Sequence, residues 1–375
     1  MTQARPRVAL GTVLREWGRI GCIGFGGPPT HIALLRRRCV EDRKWLDATE
    51  FEDAVAACNL LPGPASTQLA IFCAWRVRGR LGALVGGAAF IVPGLVLILG
   101  LAALFLAGSP PPWVKGAGAG AGAAVAAVAV HAAWGLIPAS WHRAAGPGSR
   151  LRWSIYVLAG GVAAALLGPW LVLVLLACGL TEVVVQRPGA GPGPVAALPL
   201  LGTVGGGVAW VALKVGALSY GGGFVIVPLM QSDAVHRYHW MTPAQFLEAV
   251  ALGQITPGPV VQTVAVVGYA AAGLGGGLLA AVVAFAPSFA FVLLGAHRFN
   301  RLRADARVRA FLDGAGPAAI GAILGSAVPL ALALTRPWQY AVLAGSAILL
   351  LLLRRGVVPT LLVAAAAGVV VTSYS

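Results

Sequence analysis

The sequence predicts an all-α polytopic membrane protein built as two inverted-topology repeats, with about ten transmembrane helices plus broken or re-entrant ones. Three observations carry this reading. Apolar stretches long enough to cross a bilayer recur along the chain. Two Pro-Gly-Pro breaks stand in one register, 195 residues apart, and basic loops fall at opposite ends of equivalent helices.

Hydrophobic residues make up 58% of the 375 and charged residues only 10%, against about 25% charged in soluble domains. The clearest apolar stretches are Leu81–Ala107, Gly116–Ala139, Leu274–Leu294 and Ala310–Leu334, with a shorter one at Val357–Val371. Each of the long ones can span the ~30 Å hydrocarbon core as a helix. The short alternating segments of a transmembrane barrel are absent. A net charge of +15 does not indicate nucleic acid, because the arginines cluster in short loops between apolar spans, as the positive-inside bias requires. Five cysteines (Cys22, Cys39, Cys58, Cys73 and Cys178), odd in number and without a CxxC, imply neither a disulfide framework nor a zinc site. Arg15, Glu16 and Arg19 interrupt the first apolar run, which is therefore no signal peptide.

The duplication is read from side chains in register. The offset of 195 pairs Gly21 with Gly216, Gly26-Gly27 with Gly221-Gly222, Trp45 with Trp240, Phe51 with Phe246 and Pro62-Gly63-Pro64 with Pro257-Gly258-Pro259. Similarity between two merely apolar stretches would not align Gly, Trp and Pro together. Residues 1–186 form the first repeat, a broken-helix core (8–76) followed by four spans. Residues 187–195 are a Gly/Pro-rich linker, and 196–375 form the second repeat, core 196–271 plus four spans. The first core ends in the basic Arg76–Arg80, while its counterpart Ala271–Gly275 is uncharged. Conversely His297–Arg309 is strongly basic, and its counterpart Gly108–Lys115 holds one lysine. That asymmetry favours inverted repeats with both basic segments cytoplasmic.

Proline lacks the N–H donor and clashes with the preceding turn, so Pro-Gly-Pro ends one helix and starts another. Non-helical backbone at membrane depth survives only inside protein or against an aqueous cavity. The helix beginning after each break presents free N–H groups and a positive dipole end, which suits an anion. The candidate substrate-binding residues are therefore Asn59, Pro62, Gly63, Pro64, Ser66, Thr67 and Gln68 in the first half. Gln254, Pro257, Gly258, Pro259, Gln262 and Thr263 answer them in the second. The glycine runs "GFGGPP" and "SYGGGF" add Gly26, Gly27, Ser219, Gly221 and Gly222 as a second pair of breaks. Lys214, an intramembrane cation, matches Arg19 at the same offset, and both suit a midplane oxyanion. Asp53 and Glu248 are matched as well, and either carry coupling protons or neutralise Arg19 and Lys214.

Other signals assign less. The stretch from His31 to Trp45 reads as an amphipathic interfacial segment. His236 and His239 lack a third metal ligand, and "GAGAGAG" (Gly116–Gly122) lacks the strand a dinucleotide loop needs. No P-loop, GxSxG or HExxH is present, so the chain is read as no enzyme, without metal or cofactor.

At "GFGGPPTHIALL", "WLDATEF" and "NLLPGPASTQLAIF", and at their echoes "SYGGGFVIVPLM" and "WMTPAQFLEAVALGQITPGPVVQTVAVVGY", the chain resembles the chromate ion transporter family in its long, two-domain form. The resemblance implies a multi-pass protein of the inner (cytoplasmic) membrane that exports chromate by ion-gradient-driven secondary transport and confers chromate resistance. It implies chromate or a sulfate-like dianion as cargo, in contact with the lipid bilayer, and leaves a homodimer open. Sulfate or another oxyanion is the rival cargo. From a different class, a membrane-embedded lipid-phosphate flippase or enzyme would need a catalytic carboxylate or histidine cluster, which the sequence does not display.

Overall fold

The computed structural model describes residues 8–60, 63–146, 148–167, 170–186, 206–219, 224–295 and 305–374. Helix α1 (Leu10–Ile23) stops where Gly26 and Gly27 take φ of 99° and 76°, values open to glycine at little cost. Pro28 then starts α2 (Pro28–Arg36), which runs on into a π-helical turn over Arg37–Asp42. Helix α3 (Ala48–Leu60) leads to the first Pro-Gly-Pro. There Gly63 sits at φ 118° and Pro64 is extended, and α4 (Ala65–Phe105) begins. A corner at Arg78 and Gly79 folds α4 into two limbs.

The second half repeats these local events. Helix α8 (Gly206–Leu218) precedes α9 (Ile226–Gln231), which runs into a π turn over Ser232–Arg237. Helix α10 (Pro243–Ile255) is capped by Thr242, whose hydroxyl accepts from the Gln245 N–H while the Gln245 side chain accepts from the Thr242 N–H. That reciprocal cap satisfies two N–H groups that would otherwise be orphaned. After Gly258 (φ 97°) comes a 3-10 turn, Val260–Gln262, and then α11 (Thr263–Gly295), cornered at Ala272 and Gly273. Even the left-handed residues Lys44 (φ 51°) and His239 (φ 53°) recur in register. Past the Pro-Gly-Pro the offset falls to 194, pairing Gly79 with Gly273 and Pro93 with Pro287. The second half is one residue shorter there, so Gln262 is the counterpart of Gln68.

The first limb of α4 covers thirteen residues from Ala65 to Val77, about 20 Å at ~1.5 Å per residue. The break therefore lies about 20 Å from the corner, inside a ~30 Å hydrocarbon core. Helices α5 (Pro112–Arg143), α6 (Ser149–Val162) and α7 (Leu171–Gln186) complete the first half. Helices α12 (Ala306–Leu332), α13 (Pro337–Ala347) and α14 (Val357–Ser373) complete the second. Among the described residues, four helices, α4, α5, α11 with its 3-10 turn, and α12, are long and apolar enough to cross a membrane. Large apolar side chains such as Leu158, Leu166, Val184 and Leu352 stand exposed on shorter helices, as expected of faces that meet lipid rather than water. The chain is a multi-pass, all-α membrane protein.

The halves interlock. Helix α1 lies along α4, α8 lies along α11, and α4 packs on α11. Helix α5 then packs on α13 and α14 of the second half, while α12 packs on α6 and α7 of the first. One continuous apolar core runs through both halves. Glycines permit the closest crossings. In "GAGAGAG", Gly116 and Gly120 lie against the α14 backbone, and Gly118 and Gly122 against α10, so that run is a two-sided helix-packing stripe. Between α6 and α12, a Cβ at Gly321 would overlap the Val157 carbonyl. Gly321→Ala is expected to force these helices apart at about 1–3 kcal/mol, lowering the melting temperature of the purified protein. Gly135→Ala, where nothing lies within 4 Å, is the control and should melt no lower than the parent.

Candidate functional site

The two Pro-Gly-Pro loops meet the opposite half through a reciprocal pair of backbone hydrogen bonds. The Gly63 N–H donates to the Ser219 carbonyl at 3.0 Å, and the Gly258 N–H donates to the Gly24 carbonyl at 3.0 Å. Gly24 and Ser219 are themselves 195 residues apart, so each broken helix is tied to the glycine-rich break of the other repeat. Two-fold related contacts continue beyond these bonds. A Cβ on Gly63 would stand 2.5 Å from Gln68 Nε2 and 3.4 Å from Ser288 Oγ. A Cβ on Gly258 would stand 3.3 Å from Gln262 Nε2, and one on Gly94 would stand 2.5 Å from Gln262 Oε1. Gly94 and Ser288 each follow the intrahelical proline of their half.

Several polar atoms on the crossing loops and on the helix turns beside them lack protein partners among the described residues. Thr67 Oγ1, Ser219 Oγ, Gln254 Nε2, Gln262 Oε1 and Ser288 Oγ are buried and accept or donate no hydrogen bond among the described residues. The other end of the Gln262 amide is anchored, its Nε2 donating to the Ile91 carbonyl at 2.7 Å. Thr67, Ser219, Gln262 and Ser288 are each no more than 1% exposed. A buried polar atom left unsatisfied costs about 1–3 kcal/mol. Five of them left dry would cost about 5–15 kcal/mol, as much as the whole stability of an ordinary domain. A polar guest rich in acceptor atoms would satisfy four of the five, the three hydroxyls and Gln254 Nε2.

The remaining expected site residues distribute as follows. Ser66 is buried beside Thr67, and its Oγ lies 3.2 Å from His31 Nδ1. Thr263 is spent on the Val260 carbonyl, to which its hydroxyl donates at 2.8 Å. Gly26 and Gly27 form the α1–α2 break, whereas Pro62, Gly221 and Gly222 lie outside the described residues. Pro257, Pro259 and Pro64 frame the loops, and Asn59 sits in the exposed last turn of α3.

The expected charge pairing is corrected. Lys214 pairs with Asp233, not with Glu248; the Asp233 side chain is 2% exposed and its lysine partner 14%. The ammonium also lies over the Trp210 ring, 5.5 Å from its centroid. Arg19 is an exposed residue of α1. Glu248 lies against Gly118 and shares a cavity with Phe105, Lys115 and Gln245. Asp53 has an interaction of its own. In the first half the corresponding tie is Glu16, buried on α1 and paired with Arg38 and Arg43. Arg38 and Asp233 are 195 residues apart, so both repeats bind their first helix to the π turn by an ion pair, with polarity reversed.

The stretch from His31 to Trp45, expected as an amphipathic interfacial segment, turns its apolar face to the protein core. His31, Leu35 and Cys39 are fully buried at four-residue spacing, which turns one face of α2 and its π extension into the core. His31, Ser288 and Asp233 escaped the sequence reading. A serine directly after an intrahelical proline, and an aspartate in "LMQSDAV", were the available signals. Nothing local marked His31.

The chromate transporter family model matches this chain twice, over residues 11–183 and 206–371. The chain belongs to the chromate transporter family. Both family matches contain one Pro-Gly-Pro crossing loop, so the site described here is built from the two copies together. Among relatives, the chromate transport protein of Cupriavidus metallidurans is 31% identical over 347 residues, covering 87% of this chain and 84% of its own. The chromate transport protein of Pseudomonas aeruginosa is 29% identical over 355 residues, covering 87% and 82%. The probable chromate transport protein of Synechococcus elongatus is 28% identical over 350 residues, covering 88% and 86%. No solved structure matches the chain. The lipid-phosphate alternative gains nothing from these relatives.

Proposed function

We propose that the chain is a secondary transporter of a tetrahedral divalent oxyanion, with chromate moved outward across the cytoplasmic membrane and resistance as the consequence. The observation that carries this reading is the set of four buried donor groups around the Pro-Gly-Pro loops, Thr67, Ser219, Ser288 and Gln254 Nε2, that have no partner among the described residues. The Thr67, Ser219 and Ser288 hydroxyls and the Gln254 amide N–H, with the N–H groups at the start of α4 and of the 3-10 turn before α11, suit an anion rich in acceptor oxygens. Relatives named as chromate transport proteins over most of their length support chromate as the cargo.

The repeats are read as inverted, residues 1–186 against 196–375, with Arg76–Arg80 and His297–Arg309 on the cytoplasmic side. Alternating access then comes from rocking one pair of broken helices against α5, α12 and their neighbours, with the crossing at the pivot. Because Asp233 neutralises Lys214 locally, that lysine is assigned to holding α8 against its π turn rather than to binding cargo.

Flux of radiolabelled chromate into proteoliposomes of the purified protein, with excess unlabelled sulfate in a parallel sample, tests the reading. Saturable chromate flux is expected, and Ser288→Ala combined with Thr67→Val should lower it about tenfold or more. Suppression by sulfate would make the site a general one for tetrahedral dianions. Absence of flux under every imposed ion gradient would defeat the proposal.

A further inference from the structure

We propose that His31 is the group through which one proton binds together with the anion, and that Ser66 relays its protonation state to the crossing. This rests on the oxyanion site proposed above and names its coupling element.

The argument begins with the hydrogen bonds of the ring. His31 is fully buried. Its Nε2 lies 2.9 Å from the Gly24 carbonyl oxygen, and a carbonyl only accepts, so Nε2 carries hydrogen in either protonation state. Titration is thereby confined to Nδ1, which faces Ser66 Oγ at 3.2 Å. When Nδ1 is bare, the serine hydroxyl must spend its hydrogen on it. When Nδ1 is protonated it donates, the serine oxygen accepts, and the hydroxyl hydrogen is released to donate elsewhere. Ser66 lies in the first turn of α4, next to Thr67 and two residues past Pro64, so the released donor lies at the start of the helix that follows the crossing loop.

Protonation thus adds a positive charge beside the site and one more donor within it. Both favour a dianion over an unliganded site. By linkage, the anion must favour proton binding by an equal free energy. The ring is held, moreover, by the same Gly24 carbonyl that accepts the Gly258 N–H. Its charge state therefore bears directly on the tie between the two repeats.

Among the described residues, no charged group bonds to the ring. The groups meeting the ring are Gly24 from the end of α1, Ser66 from the first limb of α4 and Phe90 from the second, the last edge-on at 5.0 Å. None of them titrates. On the elements packed against α2, Glu16 is held by Arg38 and Arg43, Arg36 by Glu41 and Glu52, and Glu50 by Arg76. Asp53 has its own interaction, and the buried thiols Cys39, Cys58 and Cys73 stay with the apolar core. Arg15, Arg19, Cys22 and Arg37 are exposed. The counterpart of His31 in the second half is Ile226, so the device occurs once.

The test uses the purified full chain in weak buffer, at a pH where chromate is fully ionised, with chromate itself as the probe. Anion binding and proton uptake are read together, the latter with an indicator dye. The wild-type protein is expected to take up close to one proton per chromate bound. His31→Gln, which retains an N–H for the Gly24 carbonyl, is expected to bind about tenfold more weakly and take up none. Undiminished uptake in His31→Gln, or chromate binding without uptake in the wild type, overturns the inference. Failure of the wild type to bind chromate overturns the site itself instead. Should His31→Gln not fold, a chain keeping His31 as its sole histidine gives the answer through the ¹⁵N spectrum of the ring. An imidazolium in the chromate-bound state is expected, and a neutral ring there overturns the inference.

Discussion

Gly258→Ala is expected to reduce chromate flux on the order of 100-fold, the effect of displacing a binding group by about 1 Å. Gly258 holds φ at 97°, a conformation that costs an alanine about 1–3 kcal/mol. Its N–H is the donor to the Gly24 carbonyl. A Cβ there would press within 3.3 Å of the Gln262 amide. The substituted loop can relieve strain only by rotating away from the glycine region, which breaks the bond to Gly24 and swings Gln262 off the crossing. Gly63→Ala should be at least as severe, because φ is 118° and the added carbon would come within 2.5 Å of Gln68 Nε2. Flux in proteoliposomes, with size-exclusion profiles to confirm folded protein, checks both. Wild-type flux in either variant would show that the loop geometry does not matter to transport.

The second large effect concerns the α8 ion pair. Asp233→Ala strands a mostly buried ammonium, and breaking one side of such a pair costs about 3–5 kcal/mol. A sharply lowered melting temperature and poor expression are expected. Replacing both partners, Lys214→Met with Asp233→Leu, removes the uncompensated charge, and similar exchanges are often neutral or stabilising. The double variant is therefore expected to recover stability and to keep transporting. If it folds but carries no chromate, Lys214 belongs to the transport pathway after all. Lys214→Gln alone is the less informative variant, since it leaves the Asp233 carboxylate buried without its cation.

Much of the architecture was legible because proline and glycine act locally. Pro64 and Pro259 start helices, Gly63 and Gly258 take the left-handed turns, and the span expected over 116–139 forms inside Pro112–Arg143. The duplicated register was likewise visible in Gly, Trp and Pro, whose roles are short-range. What could not be read is what approaches from far away in the chain. Ser219 and Gly24 reveal themselves as carbonyl acceptors only once the two halves cross. Asp233 was passed over for Lys214 because sequence symmetry pointed to Glu248, the matched acid. The missing residue after the second Pro-Gly-Pro also hid that Gln262, not Thr263, answers Gln68.

The reversed polarity of the two π-turn ion pairs has a kinetic consequence. A carrier made of two identical inverted halves would have inward-open and outward-open forms related by symmetry, equal in free energy and equally populated at zero voltage. Here one half carries Glu16 with Arg38 and Arg43, the other Lys214 with Asp233. In the proposed rocking motion these unlike dipoles would swing at different cost and couple to the membrane voltage differently. If the halves rock as proposed, the empty carrier therefore has a preferred resting side, and the duplication is no balanced see-saw.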